Sequence, residues 1–263
     1  MSAVETVEDA TDVRLADYVD LREPSRRIAI ERTGHFFIAE SPHVIATVVR
    51  AKRPIRSVLV TPHQYEAMAA VLESVDAPIY VAPPSVLRAV VGFDLHRGAV
   101  ASVERWELPS VASVLAGARR VAVLERVNDH ENLGVLFRAA AAFALDAVLL
   151  DPECADPLYR RSARVSIGHV CTVPWTRYES LAEVRDEGVA LVALTPARDA
   201  VPIETVEWPA RGAVMVGAEG PGLSAAALDA ADLRVRIPMR DDVDSLNVAT
   251  AAAIAFHRFA SSP

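Results

Sequence analysis

The second half of the chain alternates apolar runs with segments of helical periodicity, and this alternation restricts the fold more than any other feature. The runs at residues 120–127, 146–152 and 189–196 are rich in Val, Leu and Ala. Strands that are apolar along their length and are separated by helices are typical of a parallel sheet with both faces covered. The sequence therefore predicts an α/β fold in which a parallel sheet forms the larger domain.

The first half repeats this alternation in a shorter form. Three strand candidates between residues 27 and 103 each precede a segment with helical spacing, and the first of these segments opens on Ser41-Pro42, a helix-start signal. Residues 106–113 contain a proline and lack periodicity, which indicates a linker. We predict three parts: an acidic lead-in at 1–24, a small α/β domain at 25–112 and the larger α/β domain at 113–263.

Composition excludes several classes of protein. The chain has 263 residues, of which 52% are hydrophobic, so it can bury a core and is not mainly disordered. The Ala-rich run at 248–256 is nine residues long, whereas a membrane span requires roughly 18. The acidic N-terminus does not resemble a signal peptide, and Cys154 and Cys171 provide neither a disulfide framework nor a metal cluster. We expect a soluble, cytoplasmic protein without a structural metal.

Charge is distributed unevenly along the chain. The net charge of −8 disfavours a polyanionic partner, but residues 25–57 contain seven bases and two acids. A local basic patch matters more to a polyanion than the net charge does. The patch is either a binding surface or an ordinary solvated face. The binding candidates within it are Arg26, Arg27, Arg50, Lys52, Arg53 and Arg56.

Polar groups follow three of the predicted strands, where a parallel sheet binds its ligands. The first group has the spacing N-x-G-x-x-x-R and consists of Asn132, Gly134 and Arg138. Arg138 lies in an otherwise apolar helical segment, so its guanidinium requires an anion or carbonyl oxygens. Either a ligand supplies them, or an acid of the protein such as Glu219 or Asp244 does.

The second group is the glycine turn, Gly-Ala-Glu-Gly-Pro-Gly at residues 217–222, which holds three of the 11 glycines. Such a turn exposes backbone amides and suits a nucleotide-like ligand, although it can equally be an ordinary strand-to-helix turn. The Glu219 carboxylate would repel a phosphate. The turn therefore favours a ligand that is cationic or rich in hydrogen-bond donors.

The third group, at residues 237–247, starts where Pro238 breaks a short strand and ends at an Ala-rich helix. Ser245 is a candidate N-cap of that helix. The amide of Asn247 points either toward a site or toward solvent. The loop that joins the short strand to Ser245 is acidic, with three aspartates.

Together the three groups resemble the signature motifs of the SpoU-type (TrmH-like) RNA 2′-O-ribose methyltransferases in the SPOUT superfamily. The resemblance rests on VLERVNDHENLGVLFRAAAAF, VMVGAEGPGLS and RIPMRDDVDSLNVATAAAIAF, in that order, and covers about residues 118–260. The stretch HFFIAESPHVIATVVRAKRPIRSVLVTP also resembles the small substrate-binding domain that often precedes this catalytic domain.

The resemblance implies a SPOUT domain with a deep trefoil knot that binds S-adenosylmethionine in a bent shape. It also implies a homodimer formed through the knotted domain, with the RNA site shared between subunits. The cofactor positions of the family correspond to Leu194, Gly217, Gly220, Ile237, Met239 and Leu246. The catalytic and substrate-orienting positions correspond to Asn132, Arg138, Glu219, Ser245 and Asn247.

The residue chemistry agrees with methyl transfer to a ribose hydroxyl, which requires positioning and removal of a proton. Because arginine stays protonated, we expect Arg138 to orient the hydroxyl and stabilise the developing alkoxide rather than act as the base. The sequence departs from the family pattern at three positions, where relatives commonly have asparagine, glycine and serine. These positions are Ala218, Asp241 and Ala249.

We expect an RNA substrate, and the basic residues of the small domain favour ribosomal RNA over transfer RNA. A transfer-RNA 2′-O-methyltransferase and a catalytically silent RNA-binding SPOUT protein are the alternatives. Retention of Arg138, Glu219 and Asn247 argues against the silent protein. A dinucleotide-binding oxidoreductase is disfavoured because G-x-G-x-x-G does not follow the first strand of the sheet.

Overall fold

The chain forms two compact units in a computed structural model that describes residues 3–22, 24–95, 97–240 and 242–262, without the side chains of residues 24–27. The first unit contains Met1–Glu107 and Leu158–Thr172, and the second contains Leu108–Pro157 and Val173–Pro263. Within the described residues, no helix is both long enough and apolar enough to cross a membrane.

The strands of both units are short, with two to six residues each. Those of the first unit are β1 (Val4–Thr6), β2 (Phe36–Glu40), β3 (Ile55–Val60), β4 (Ile79–Val81) and β5 (Ala99–Glu104). Those of the second unit are β6 (Arg120–Leu124), β7 (Ala147–Leu150), β8 (Trp175–Arg177), β9 (Ala190–Leu194), β10 (Val201–Pro202), β11 (Gly212–Val216) and β12 (Leu233–Arg236).

The helices are longest next to the centre of the second unit. In chain order they are α1 (Pro24–Thr33), α2 (Pro42–Arg50), α3 (Pro62–Ala67), α4 (Ala69–Leu72), α5 (Pro84–Val91), α6 (Val111–Leu115), α7 (His130–Ala142), α8 (Arg160–Val165), α9 (Leu181–Asp186), α10 (Ala225–Ala230) and α11 (Val248–Ala260). Two 3₁₀ turns cover Val13–Tyr18 and His169–Cys171.

The first unit is built on a mixed sheet with the strand order β1-β4-β3-β5-β2. β5 is antiparallel to both of its neighbours, whereas β1 and β3 are parallel to β4. β5 is not predicted from the sequence, because alanine and serine interrupt its valines. The helix predicted after Ser41-Pro42 is present as α2, with the Ser41 hydroxyl accepting a hydrogen bond from the Val44 N–H at 3.5 Å. Proline at the first helical position fixes this start.

The acidic lead-in differs from the prediction, because residues 3–22 belong to the first unit. β1 extends the sheet beside β4, and Leu15, Tyr18 and Leu21 are fully buried in the core. The Tyr18 hydroxyl lies 2.7 Å from the Ser57 hydroxyl. Leu15 and Tyr18 lie three residues apart within the 3₁₀ turn Val13–Tyr18, and three residues is the period of that turn, so a search for the 3.6-residue period of an α-helix passes over them.

The second unit contains the predicted parallel sheet, with the strand order β10-β12-β9-β11-β6-β7-β8. One face carries an apolar core that includes Val121, Leu149, Leu191 and Met215. α7 and α11 pack side by side, with Phe137 and Phe256 fully buried. The prediction of an α/β fold with a parallel sheet and a preceding small α/β domain is confirmed.

The strand order brings the three polar groups to one edge of this sheet. β6 and β11 are neighbours, β9 lies next to β11, and β12 lies next to β9. In a parallel sheet the carboxyl ends of neighbouring strands meet at the same edge. The first group follows β6, the glycine turn follows β11 and the third group follows β12, so all three converge.

The domain boundaries differ from the prediction of 25–112 and 113–263. Residues 158–172, predicted within the larger domain, belong to the first unit. There Arg160 and Arg164 of α8 donate to the Glu40 carboxylate at 2.5 Å and 3.0 Å. The partners are 120 and 124 residues apart, and no local sequence pattern shows an ion pair of that separation.

Candidate active site

A cavity of about 210 Å³ opens at the carboxyl ends of β9, β11 and β12. Each of the six predicted cofactor residues lines it: Leu194, Gly217, Gly220, Ile237, Met239 and Leu246. Three of the predicted catalytic residues line it as well: Glu219, Ser245 and Asn247. The glycine turn and the third group therefore form one site within the second unit.

The glycine turn is closed so tightly that its first position excludes a side chain. A Cβ atom on Gly217 would lie 2.2 Å from the carbonyl carbon and oxygen of Gly222 and 2.3 Å from the backbone nitrogen of Leu223. The Gly222 N–H donates to the Ala218 carbonyl at 2.9 Å. Gly220 and Gly222 have φ angles of 89° and 69°, in the left-handed region that favours glycine. The glycines here are required by the turn itself.

A chain of hydrogen bonds joins the three groups. The Asn247 side-chain amide donates to Oδ1 of Asn132 at 2.9 Å, and the Asn132 amide donates to Oε2 of Glu219 at 3.0 Å. The remaining oxygen of Asn247 accepts from the N–H groups of Ala249 and Thr250 at 3.0 Å and 3.3 Å. Both asparagine side chains thus have one orientation that satisfies every partner, and the Glu219 carboxylate is presented as an acceptor.

The capping role predicted for Ser245 belongs to Asn247. α11 begins at Val248, and Asn247 is its N-cap. Ser245 lies two residues earlier and lines the cavity. Because serine and asparagine are equally suitable N-caps, residue type alone does not select between positions 245 and 247.

Arg138 is separated from the other predicted catalytic residues. It is exposed on α7, six residues after Asn132, and six residues turn an α-helix through about 600°, which leaves the two side chains about 120° apart. Within the described residues Arg138 pairs with neither Glu219 nor Asp244, and Oε2 of Glu219 accepts from Asn132 instead. Among the described residues, none forms a hydrogen bond or ion pair with Arg138.

The basic candidates of the first unit are largely engaged within it. Arg50 donates to the Thr47 hydroxyl at 3.0 Å. Arg53 donates to the Cys171 carbonyl at 3.2 Å and stacks 3.8 Å from the centre of the Trp106 ring. These contacts hold the guanidinium groups in place and use part of their donor capacity.

Two more of these candidates differ in their surroundings. Arg56 donates to the Gly34 carbonyl at 2.8 Å and lies 3.3 Å from the Asp17 carboxylate, so its charge is partly compensated. Lys52 is exposed at a φ of 53°. The side chains of Arg26 and Arg27 lie outside the described residues, as does Asp241, the acidic departure from the family pattern.

Both cysteines are unsuited to nucleophilic chemistry. Burial raises the pKa of Cys154 to about 12, and the nearby Asp151 charge adds to this. Burial also raises the pKa of Cys171 to about 12. The Cys154 thiol donates to the Leu124 carbonyl and accepts from the Val127 N–H, both at 3.3 Å. Each thiol is therefore protonated and packed at neutral pH.

The charge of the cavity favours a cationic ligand. Among its described lining residues, Glu219 is the one ionisable side chain and no Arg, Lys or His contributes. The rest of the lining consists of small and apolar residues, the hydroxyls of Thr195 and Ser245, and the side-chain amide of Asn247. An anion would meet a carboxylate here without a compensating base.

Sequence comparison identifies the family. The sequence model of the SpoU rRNA methylase family matches residues 119–257. The chain belongs to this family. The resemblance carried by the three polar groups is thereby confirmed.

Relatives of the SpoU family match over nearly the whole chain. An uncharacterised tRNA/rRNA methyltransferase of Mycobacterium tuberculosis is 45% identical over 261 residues, which are 97% of this chain and 91% of the relative. The 23S rRNA (guanosine(2553)-2′-O)-methyltransferase RlmP of Bacillus subtilis is 27% identical, with 94% and 96% coverage.

Solved structures of SpoU-like proteins share the fold. The AdoMet-bound rRNA methyltransferase from Sinorhizobium meliloti has a TM-score of 0.82 at 23% identity, covering 97% of each chain. The SpoU methyltransferase AviRb from Streptomyces viridochromogenes has a TM-score of 0.80 at 21% identity, covering 95% of this chain and 98% of AviRb. Both the first unit and the second unit therefore have counterparts of the same fold.

Two features of the candidate active site are not predicted from the sequence. Thr195 and Pro196 line the cavity directly after β9, and their position beyond a strand end was the available signal. Glu125 follows β6 and accepts hydrogen bonds from the N–H and hydroxyl of Ser224 at 2.7 Å and 2.6 Å. This contact spans 99 residues, so only the folded chain reveals it.

Proposed function

We propose that this protein transfers a methyl group from S-adenosylmethionine to a ribose 2′-hydroxyl of ribosomal RNA. The observation that carries the proposal is the single cavity at which Glu219, Ser245 and Asn247 meet the glycine turn. The named activity of RlmP, a 2′-O-methyltransferase of 23S rRNA, supports the ribose and ribosomal parts. We further propose that the protein acts in the cytoplasm and that its C-terminal segment forms a trefoil knot.

The cavity suits S-adenosylmethionine in its lining and its charge. Leu194, Ile237 and Leu246 provide apolar walls, and the glycine turn at Gly217 and Gly220 provides backbone groups. When bound, the cofactor supplies the methyl group on a positively charged sulfur. A lining with one carboxylate and no base among its described residues is compatible with that charge. The named ligand of two similar structures, AdoMet, agrees with this assignment.

We propose a homodimer through the exposed face of α7 and α11. A groove of about 670 Å³ lies on this face, and Val135 and Ile254 beside it are 39% and 37% exposed. Exposed aliphatic side chains around a groove are typical of a surface that a partner covers. Asn132 and Asn247 line this groove, so a second copy docked here would lie next to the candidate active site.

The dimer gives Arg138 a role. Within one chain Arg138 points away from Asn132, and a second copy on the α7 face would bring its own Arg138 toward the first copy's cavity. Arg138 then orients the ribose hydroxyl and stabilises the negative charge that develops on its oxygen. Because a guanidinium stays protonated, the proton of the hydroxyl passes to water or to an RNA phosphate.

Two experiments test the function. Ribose methylation is mapped in total RNA from cells with and without this protein. We expect one or a few methylated positions of ribosomal RNA to be absent from the cells without it. The purified protein should transfer a tritium-labelled methyl group from S-adenosylmethionine to RNA isolated from the cells that lack the protein. Loss of a site in transfer RNA alone would assign the other substrate, and cofactor binding without transfer to any RNA would indicate a silent binding protein.

A further inference from the structure

A second cavity adjoins the candidate cofactor cavity. It has a volume of about 600 Å³ and shares a wall with the first, formed by Thr195, Pro196, Ile237 and Met239. The shared wall places any ligand of the second cavity directly beside a ligand of the first. Part of the third polar group lines this cavity, but the methyl-transfer site proposed above uses none of its three arginines, Arg198, Arg236 and Arg240.

Arg236 of this second cavity is half-buried and has hydrogen-bond donors that the described residues leave unused. It is half-buried at the end of β12, next to Ile237 of the shared wall. Its Nε donates to the Ala200 carbonyl at 3.1 Å, which uses one of the five N–H donors of the guanidinium. Within the described part of the chain, no other acceptor is bonded to it. A half-buried guanidinium with free donors is suited to an anion.

The other charges of the second cavity also favour an anion. Arg198 and Arg240 line it with Arg236, and the acid among the described lining residues is Asp244. Arg240 additionally pairs with exposed Asp242, with N–O distances of 3.1 Å. Arg240 is thereby partly neutralised, whereas Arg236 keeps donors for a ligand. The arginines of this cavity and the Glu219 carboxylate of the cofactor cavity lie on opposite sides of the shared wall.

We propose that the second cavity binds a phosphodiester group of the acceptor RNA, with Arg236 as its principal ligand. The inference rests on the proposed methyl transfer to RNA. A guanidinium binds phosphate through two parallel hydrogen bonds, and such contacts fix the register of a nucleic acid rather than read its sequence. A backbone phosphate held beside the methyl donor positions the adjoining ribose, which is what an in-line transfer requires.

The test compares two arginines of the same strand. Arg236→Gln removes the proposed ligand, and Arg234→Gln is the control because Arg234 lies outside the cavity and bonds to Leu228 and Asp229. The full chain is titrated against a fluorescein-labelled single-stranded RNA 20-mer over a range of KCl concentrations. Binding of S-adenosylmethionine is measured by calorimetry on the same samples, and thermal unfolding checks that both variants are folded.

We expect Arg236→Gln to weaken RNA binding about tenfold at low salt. Loss of one phosphate contact should also reduce the log–log salt slope by about 0.7. Cofactor affinity should stay at the wild-type value, and Arg234→Gln should match wild type in both assays. Arg198→Gln, which changes an exposed loop residue, should show a smaller loss of the same kind and serves if Arg236→Gln is unstable.

Three outcomes would overturn the inference. Equal RNA binding by the two β12 variants would mean that only general charge matters. A loss of cofactor affinity in Arg236→Gln, with RNA binding retained, would assign the cavity to the carboxylate of the cofactor itself. An unchanged RNA salt slope in both Arg236→Gln and Arg198→Gln would exclude a phosphate contact. Failure of the proposed function is recognised separately, as absence of methyl transfer by the wild-type protein.

Discussion

The carboxylate of Glu125 accepts two hydrogen bonds from Ser224, one from the backbone N–H at 2.7 Å and one from the hydroxyl at 2.6 Å. Glu125 directly follows β6, and Ser224 is the N-cap of α10. The Ser224 hydroxyl also accepts a hydrogen bond from the Ala227 N–H at 3.1 Å. The contact fixes the chain just after the glycine turn, where Gly222 lies against Gly217. We therefore expect Glu125 to position the glycine turn that lines the candidate cofactor cavity.

Replacement of Glu125 by alanine should loosen this turn. We expect the KM for S-adenosylmethionine to rise about tenfold with little change in the KM for RNA, because the hydrogen bonds lost are worth about 1–3 kcal/mol. Glu125→Gln should restore most of the affinity, since a side-chain amide can still bond to both groups of Ser224. Glu207→Ala removes an exposed acid and is the control. Wild-type cofactor binding by Glu125→Ala would refute the positioning role.

Gly217→Ala should abolish cofactor binding by displacing backbone. The added Cβ would meet the Gly222 carbonyl at 2.2 Å, and main chain cannot move aside as the end of a flexible side chain can. Gly117→Ala is the matched control: its Cβ would have no heavy atom within 4 Å, but its φ is +78°. That control should cost about 1 kcal/mol of stability and leave calorimetric binding of S-adenosylmethionine intact. Similar binding losses in both variants would argue against a specific role of the turn.

Arg138→Ala should retain cofactor affinity and lose most turnover, measured by calorimetry and by tritium transfer to RNA. If Arg138 acts in the partner's site, mixing Arg138→Ala with Glu219→Ala subunits regenerates one complete site in each mixed dimer. Equal amounts that exchange freely should then recover about a quarter of wild-type activity, as the statistics of a two-fold dimer require. If Arg138 acts within its own chain, no mixed site is complete and activity stays absent.

The buried cysteines predict a loss of stability at high pH. The pKa of each thiol is raised by burial from 9.0 to about 12, so above pH 9 the unfolded chain releases thiol protons that the native chain retains. The free energy of unfolding should fall by about 1.4 kcal/mol per pH unit for each thiol until the native pKa is reached. Urea unfolding at pH 8.5 and 10.5 measures this fall. The Cys154→Ala/Cys171→Ala variant should show a smaller fall, and an equal one would contradict the assignment.

The sequence contains enough information to predict the convergence of the three polar groups. Each group follows a strand of a parallel sheet, and such strands present their carboxyl ends at one edge. The contacts within the site are less accessible, because they depend on how separate segments pack. The bond from Asn132 to Glu219 spans 87 residues, and that from Glu125 to Ser224 spans 99.

Two further differences have identifiable physical causes. The position of Arg138 could have been anticipated, because its spacing of six from Asn132 does not place both side chains on one face of an α-helix. The internal hydrogen bonds of the basic patch could not have been anticipated, because Arg53 donates to the Cys171 carbonyl and Arg56 to the Gly34 carbonyl. Counting charges along a sequence does not distinguish a solvated arginine from one that is bonded within the fold.

Removal of Glu40 should strongly destabilise the first unit. Glu40 is 8% exposed, and Arg160, whose side chain is 13% exposed, donates to it at 2.5 Å and also to the Leu21 carbonyl at 3.1 Å. Removal of one member of a buried pair leaves an uncompensated charge, which costs about 3–5 kcal/mol. Glu40→Ala should therefore reduce the free energy of unfolding in urea by about that amount.

Arg164 provides an internal comparison for this prediction. It bonds to the same carboxylate at 3.0 Å, but its side chain is 41% exposed, and exposed pairs contribute about 0–1 kcal/mol. Arg164→Gln should thus be nearly silent, whereas Arg160→Gln should approach the effect of Glu40→Ala. The double variant Glu40→Leu/Arg160→Met should recover much of the loss, because it leaves no buried charge unpaired. Equal effects of Arg160→Gln and Arg164→Gln would show that burial does not set the strength of these pairs.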